Sequence, residues 1–136
     1  MQRNKYLDNL GIAPEHYGTN FCNFDKRVPY WKKERKLYGF DSRETWNLDR
    51  TFIEWLYSHC MMFKEHAIQV IDLKQPVFLH NNVPYTLIEA IDYIIDATKK
   101  WLLDTEFNVE NSYDKRYEKV KDAVHLWAEI LPAMWW

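Results

Sequence analysis

The sequence predicts a mostly α-helical single domain of four or five helices, with a small β-hairpin near residues 77–85. Three observations predict it. Apolar residues recur at helical spacing toward the C-terminus, Thr86 and Glu89 stand at capping-box spacing before an apolar run, and Asn81-Asn82 separates two short apolar segments. A chain of 136 residues, 47% apolar and 28% charged, is the size and balance of one globular core. Residues 1–40 read as an irregular N-terminal part with a basic helix, and 41–136 as the helical core.

Taken in order, a short helix precedes Gly11, and an irregular stretch follows with Pro14 and Gly18. A basic amphipathic helix spans about Pro29 to Tyr38 and is ended by Gly39, the residue best suited to a left-handed cap. The longest pattern, about Thr45 to Val70, places Trp46, Phe52, Ile53, Leu56, Cys60, Phe63, Ala67 and Val70 on one side. A softer second row of Leu48, Trp55, His59, Met62 and His66 implies that this central helix is almost fully enclosed. Val77-Phe78-Leu79-His80 and Val83-Pro84-Tyr85 flank Asn81-Asn82, because Asn tolerates the positive φ of a two-residue hairpin turn, and Pro84 keeps the pairing short. Thr86 opens a helix to about Leu103, with a wide stripe of Leu87, Ile88, Ile91, Ile94, Ile95, Thr98, Trp101 and Leu102. The last helix, about 112–131, starts at an Asn111 or Ser112 cap. It carries Tyr113, Tyr117, Val120, Val124, Trp127 and Leu131 on one face and stops before Pro132.

Composition excludes several classes. Five prolines, three glycines and no low-complexity run are foreign to disordered or collagen-like chains. No apolar stretch approaches the roughly 18 residues of a membrane span, and the N-terminus lacks the apolar run of a secretory signal, so the expected location is the cytoplasm. Cys22 and Cys60 form no CxxC and are expected as reduced thiols. Charge is uneven: residues 1–40 hold eight Lys/Arg against four Asp/Glu, while the whole chain is at −2. That near-neutral total argues against a dedicated duplex-DNA binder.

The segment Tyr38-Gly-Phe-Asp-Ser-Arg-Glu-Thr-Trp-Asn-Leu-Asp49, followed by a helix with Trp55-Leu56, resembles small helical proteins of bacteriophages and prophages of Gram-positive bacteria. The resemblance extends more loosely over residues 37–103. It implies a mobile-element origin and action by binding to host machinery, and it supplies no catalytic residue. Read from the residues alone, Asp41 or Ser42 caps a helix start, Glu44 accepts N–H bonds there, and Trp46 buries a large ring. Arg43, Glu44, Asn47, Asp49 and Arg50 then form a polar network. In the alternative, Arg43, Asn47 and Arg50 line a ligand pocket.

Candidate chemistry is sparse. Asp122, His125 and Glu129 have the i, i+3, i+7 spacing of a helix-borne metal site that Asp92 or Asp96 would complete, against the plainer reading of a solvated face. Glu89-x-x-Asp92 with Asp96 matches half of the paired acidic motif of helical nucleoside triphosphate pyrophosphatases, and the other half is missing. His59 and His66 stand two turns apart, about 10 Å along a helix axis, too far to share an ion, and are expected as satisfied, half-buried histidines. Gly11, Gly18 and Gly39 are too widely spaced for a phosphate loop, and no serine or cysteine has a nucleophile motif.

The basic aromatic segment from Lys26 to Tyr38 is the best binding candidate, against the plainer reading of an exposed amphipathic helix whose basic face meets the acidic remainder of the chain. Arg27, Lys32, Lys33 and Arg35 supply positive charge, interleaved with Tyr30 and Trp31, whose faces suit a base of a nucleotide or single strand, or an acidic protein partner. Leu131-Pro-Ala-Met-Trp135-Trp136 is an apolar tail that packs on its own domain or in a homo-oligomer or partner interface. The expectation is therefore a phage accessory protein that inhibits a bacterial defence or regulatory component by occlusion, needing no cofactor, with a host protein or itself as partner and no membrane. A nucleotide-binding sponge and a metal-dependent helical hydrolase are the alternatives.

Overall fold

A computed structural model describes residues 3–17, 25–104 and 113–136, with side chains in the last segment from Tyr117 onward. Gly18, Cys22, the Asn111 or Ser112 cap and the Tyr113 ring lie outside the described residues. Among the described residues the elements are α1 (Lys5–Asn9), α2 (Val28–Tyr38), α3 (Leu48–Ala67), β1 (Val77–His80), β2 (Val83–Thr86), α4 (Leu87–Leu103) and α5 (Tyr113–Ile130). Short 3₁₀ turns stand at Pro14–His16, Ser42–Thr45 and Leu131–Ala133. The fold is mostly α with one small antiparallel hairpin, as the sequence predicts. Among the described residues no helix is long and apolar enough to cross a membrane. The chain divides into two compact units, Met1–Ser58 and His59–Trp136, with the boundary inside α3.

In the first unit, Asn4 caps α1 by accepting the N–H groups of Tyr6 (3.0 Å) and Leu7 (3.2 Å), and its amide donates to Ser58 Oγ at 2.8 Å. The chain leaves α1 through Gly11 at φ +79° and leaves α2 through Gly39 at φ +82°, whose N–H closes on the Arg35 carbonyl at 2.9 Å. Asp41 and Glu44 then form a capping box on the Ser42–Thr45 turn. This separate turn is why α3 begins at Leu48 and not at Thr45.

The central helix is not enclosed. Ile53, Leu56, Tyr57, Cys60 and Ala67 are buried, whereas Leu48, Trp55, His59, Met62 and His66 are exposed. The covered band of α3 also takes in Glu54 and Ser58, and the softer row on the opposite side meets solvent. Val70 lies past the end of α3, in a turn closed by its N–H to the Ala67 carbonyl at 3.0 Å, and is also exposed.

In the second unit, Asn81 and Asn82 both take positive φ, 52° and 62°, as a type I′ turn requires. The register pairs Val77 with Thr86, Phe78 with Tyr85, Leu79 with Pro84 and His80 with Val83. Thr86 ends β2 and caps α4: its hydroxyl accepts the Glu89 N–H at 3.2 Å while Glu89 accepts the Thr86 N–H at 3.0 Å. Leu87, Ala90, Ile91, Ile94, Ala97, Thr98, Trp101 and Leu102 form the buried stripe of α4. Its facing stripe on α5 is Val120, Ala123, Leu126 and Ile130. That stripe is rotated from the predicted Val124, Trp127 and Leu131, toward the side of α5 on which Asp122 bonds to β1, the hairpin turn and α4.

Candidate functional site

Helix α2 is where the sequence places most binding residues, and its two sides differ. One side is structural. Trp31 is 2% exposed, meets Trp46 edge-to-face at 5.5 Å, and carries the Arg43 guanidinium over its ring at 4.4 Å. The Arg27 guanidinium lies 5.0 Å from the Trp31 ring and 4.9 Å from that of Trp46. Trp31 therefore offers no face to a base, contrary to expectation, whereas Trp46 remains 50% exposed.

The same side holds a charge network. Asp41 is buried; Arg43 donates to it from Nε (2.9 Å) and Nη2 (2.8 Å), and from its backbone N–H at 3.1 Å. Arg35 adds two further bonds to Asp41 Oδ2, from Nε at 3.2 Å and Nη2 at 3.1 Å, and reaches Glu44 at 3.2 Å. The Arg43 guanidinium, aided by Arg35, holds the Asp41 carboxyl below the ordinary carboxylate range. Glu34 accepts the Ser42 N–H at 2.8 Å, tying α2 to the turn. Arg27 is paired with Asp25, through Nε at 2.9 Å and Nη2 at 2.7 Å, which brings that carboxyl down to about 2.

The other side of α2 is open. Tyr30 is 62% exposed, and Lys32, Lys33, Lys36, Leu37 and Tyr38 are exposed with it, as is Phe40 beyond Gly39. Tyr30, Lys33 and Leu37 stand at i, i+3 and i+7, on one line along the helix. Of the residues assigned to binding from sequence, Tyr30, Lys32 and Lys33 meet solvent here, whereas Arg27 and Arg35 are engaged with carboxylates. The basic aromatic segment from Lys26 to Tyr38 includes Lys36 and Tyr38, and Leu37 is exposed with them.

Arg43, Asn47 and Arg50 have separate partners. Arg43 is committed to Asp41, Asn47 is exposed with its carbonyl accepting the Thr51 N–H at 2.9 Å, and Arg50 Nε lies 3.8 Å from Glu54. The tail divides: Trp136 stacks on His66 with centroids 5.1 Å apart, while Trp135 is 71% exposed.

A second cluster, absent from the sequence reading, centres on Asp122. Its Oδ1 accepts from His80 Nε2 at 2.8 Å and Asn81 Nδ2 at 3.1 Å, and its Oδ2 accepts the Tyr93 hydroxyl at 2.6 Å. The Tyr93 bond and His80 hold the carboxyl down, whereas burial and the same carboxylate push the Tyr93 hydroxyl up to about 12. Tyr85 packs edge-on against both His80 and Tyr93. His125 and Glu129 are exposed, Asp92 pairs with Lys64 at 2.7 Å, and Asp96 pairs with Lys119 at 2.9 Å and Lys100 at 3.0 Å. Among the described residues no three His, Cys, Asp or Glu side chains group so as to hold a metal ion. The Asp122 cluster is instead a clasp between the hairpin and the two helices.

Comparison with family models, with curated proteins and with solved structures finds no match to this chain.

Proposed function

We propose that this protein acts by binding, as an accessory protein of a phage or prophage in a bacterial cytoplasm, and that it occludes an acidic surface of a host defence or regulatory component. One observation carries the reading. Helix α2 turns Trp31 inward, engages Arg35 with Asp41 and Glu44, and leaves Tyr30, Lys32, Lys33, Lys36, Leu37 and Tyr38 exposed as an aromatic, aliphatic and basic face. Exposed lysines steer an acidic partner toward the helix, and Tyr30, Leu37 and Tyr38 supply area to anchor it. The anchoring Trp31, Arg43 and Asp41 network holds that face rigid, which lowers the ordering cost of binding. Burial of Trp31 removes the larger of the two rings that a nucleotide reading needs, and so favours a protein partner.

The test is in-cell cross-linking from a photoreactive residue at Leu37, compared with one at exposed Lys121 on α5. The expected result is an adduct with an acidic protein from position 37 alone, lost in the Lys32→Glu/Lys33→Glu/Lys36→Glu variant. Substitutions on this exposed face shift folding stability by only about 0.5 kcal/mol each, so the variant stays folded. The same adducts from both positions, or an adduct indifferent to the three reversals, would overturn the reading.

A further inference from the structure

The two outer edges of the hairpin are not alike. Because Asn81-Asn82 is a two-residue turn, His80 and Val83 form the closing hydrogen-bonded pair, and bonded pairs alternate from there. Phe78 and Tyr85 are the next bonded pair. Leu79, Pro84, Val77 and Thr86 therefore direct their main-chain groups outward. On β2 that edge is closed, since Pro84 has no N–H and the Thr86 N–H is taken by Glu89 at 3.0 Å. On β1 the N–H and carbonyl groups of both Val77 and Leu79 face out.

Charge does not protect this edge either. No Asp, Glu, Lys or Arg occurs from Gln75 to Ile88, although edge strands are commonly guarded by such residues. Val77 is 59% exposed and Leu79 71%, on the face they share with Pro84. The opposite face, with Phe78, His80 and Tyr85, is half-buried.

We infer that the β1 edge is a self-association surface, and that its occupant is β1 of a second copy of this chain, laid antiparallel about a two-fold axis at Phe78. In that register Val77 meets the second copy's Leu79 and Leu79 meets its Val77, each pair exchanging both N–H···O bonds. The arrangement is self-complementary: it joins two hairpins into a four-stranded sheet, places the Val77 and Leu79 side chains of both copies side by side, and brings the two Phe78 residues opposite each other. A charged partner would find no counter-charge on this segment, whereas a second copy meets no like-charge repulsion. Two four-residue strands bury far less than the roughly 800 Å² per partner of a stable dimer. The association is accordingly weak and dependent on concentration.

The experiment is analytical ultracentrifugation of the full chain, with Cys22→Ser to remove adventitious disulfides, from about 10 µM to about 1 mM, a range that brackets weak affinities. The expected result is a monomer–dimer equilibrium weakened at least tenfold by Leu79→Pro, which deletes an outward N–H without touching a bond inside the hairpin. Leu79→Lys, which brings like charges together, weakens it likewise and serves alone if the proline variant fails to fold by circular dichroism. A protein that stays monomeric throughout overturns the inference. So does a dimer that survives Leu79→Lys undiminished, or one that survives it and is abolished by Trp135→Ala/Trp136→Ala.

Discussion

Removing the Asp41 carboxylate tests the scaffold behind the α2 face. Asp41 is 1% exposed and accepts five hydrogen bonds, three from Arg43 and two from Arg35. Arg43 is buried as well, and Asp41→Ala removes the carboxylate that accepts three of its hydrogen bonds; breaking one partner of such a pair costs about 3–5 kcal/mol. Arg35 is more than a third exposed, so screening limits its share to about 1 kcal/mol or less. The expected loss for Asp41→Ala is thus about 3–5 kcal/mol, out of the roughly 5–15 kcal/mol that hold a domain of this kind.

Urea unfolding followed in parallel by tryptophan fluorescence and far-ultraviolet circular dichroism reads it. Adding Arg43→Met to Asp41→Ala should recover much of the loss, since an apolar side chain lies well on the Trp31 ring and leaves no buried charge. The pH dependence has a definite sign. Asp41 titrates below its unfolded value of about 3.9, so its contribution is complete above that value and is lost as pH falls through the lowered one. Asp41→Asn, an equally good helix cap, should remove that acid slope. A loss below about 1 kcal/mol for Asp41→Ala, with no rescue by Arg43→Met, would refute the assignment of this pair as the anchor of α2.

Four further outcomes are expected. Tyr93→Phe deletes the 2.6 Å bond to Asp122; the hydrogen bond to a partly exposed carboxylate is worth about 1.5 kcal/mol, and amide exchange at His80 to Val83 should quicken with it. Because the Asp122 carboxyl is held low, this clasp loosens only as pH falls below the ordinary carboxylate range, and Asp122→Asn should flatten that response. Burial pushes the Cys60 thiol up to about 12, so in a Cys22→Ser background it should stay unmodified by a thiol reagent at pH 8 until urea unfolds the chain, and immediate stoichiometric labelling would contradict this. Asn82→Gly should raise the melting temperature slightly and Asn82→Val should cost about 1–2 kcal/mol, as the left-handed conformation at that position demands.

What was legible in the sequence was local. The Thr86–Glu89 capping box, the Asn81-Asn82 turn and the Gly39 stop each depend on residues within a few positions of one another, and each forms as read. Asp41 and Glu44 were readable as a cap for the same reason, although they cap a separate turn and so delay α3. The Asp122 clasp was not legible, because His80 and Asp122 are 42 residues apart and only the docking of the hairpin unites them. In α2, Tyr30 and Trp31 are adjacent and chemically alike, and nothing local decides which ring turns inward. The Arg43 side chain and Trp46 decide it, by building a pocket of charge and π-face around Trp31. The same limit applies to α5, whose Asp122 is held by residues distant in sequence.

The central claim is that the open basic face of α2 binds an acidic protein surface. Its most direct measurement is a calorimetric titration of the partner cross-linked at Leu37, against the wild-type chain and the Lys32→Glu/Lys33→Glu/Lys36→Glu variant, at low and at high salt. The account predicts affinity that falls with salt in the wild type, and binding at least about tenfold weaker in the variant, or about 1.4 kcal/mol. Equal affinity for both chains, with no dependence on salt, would contradict it.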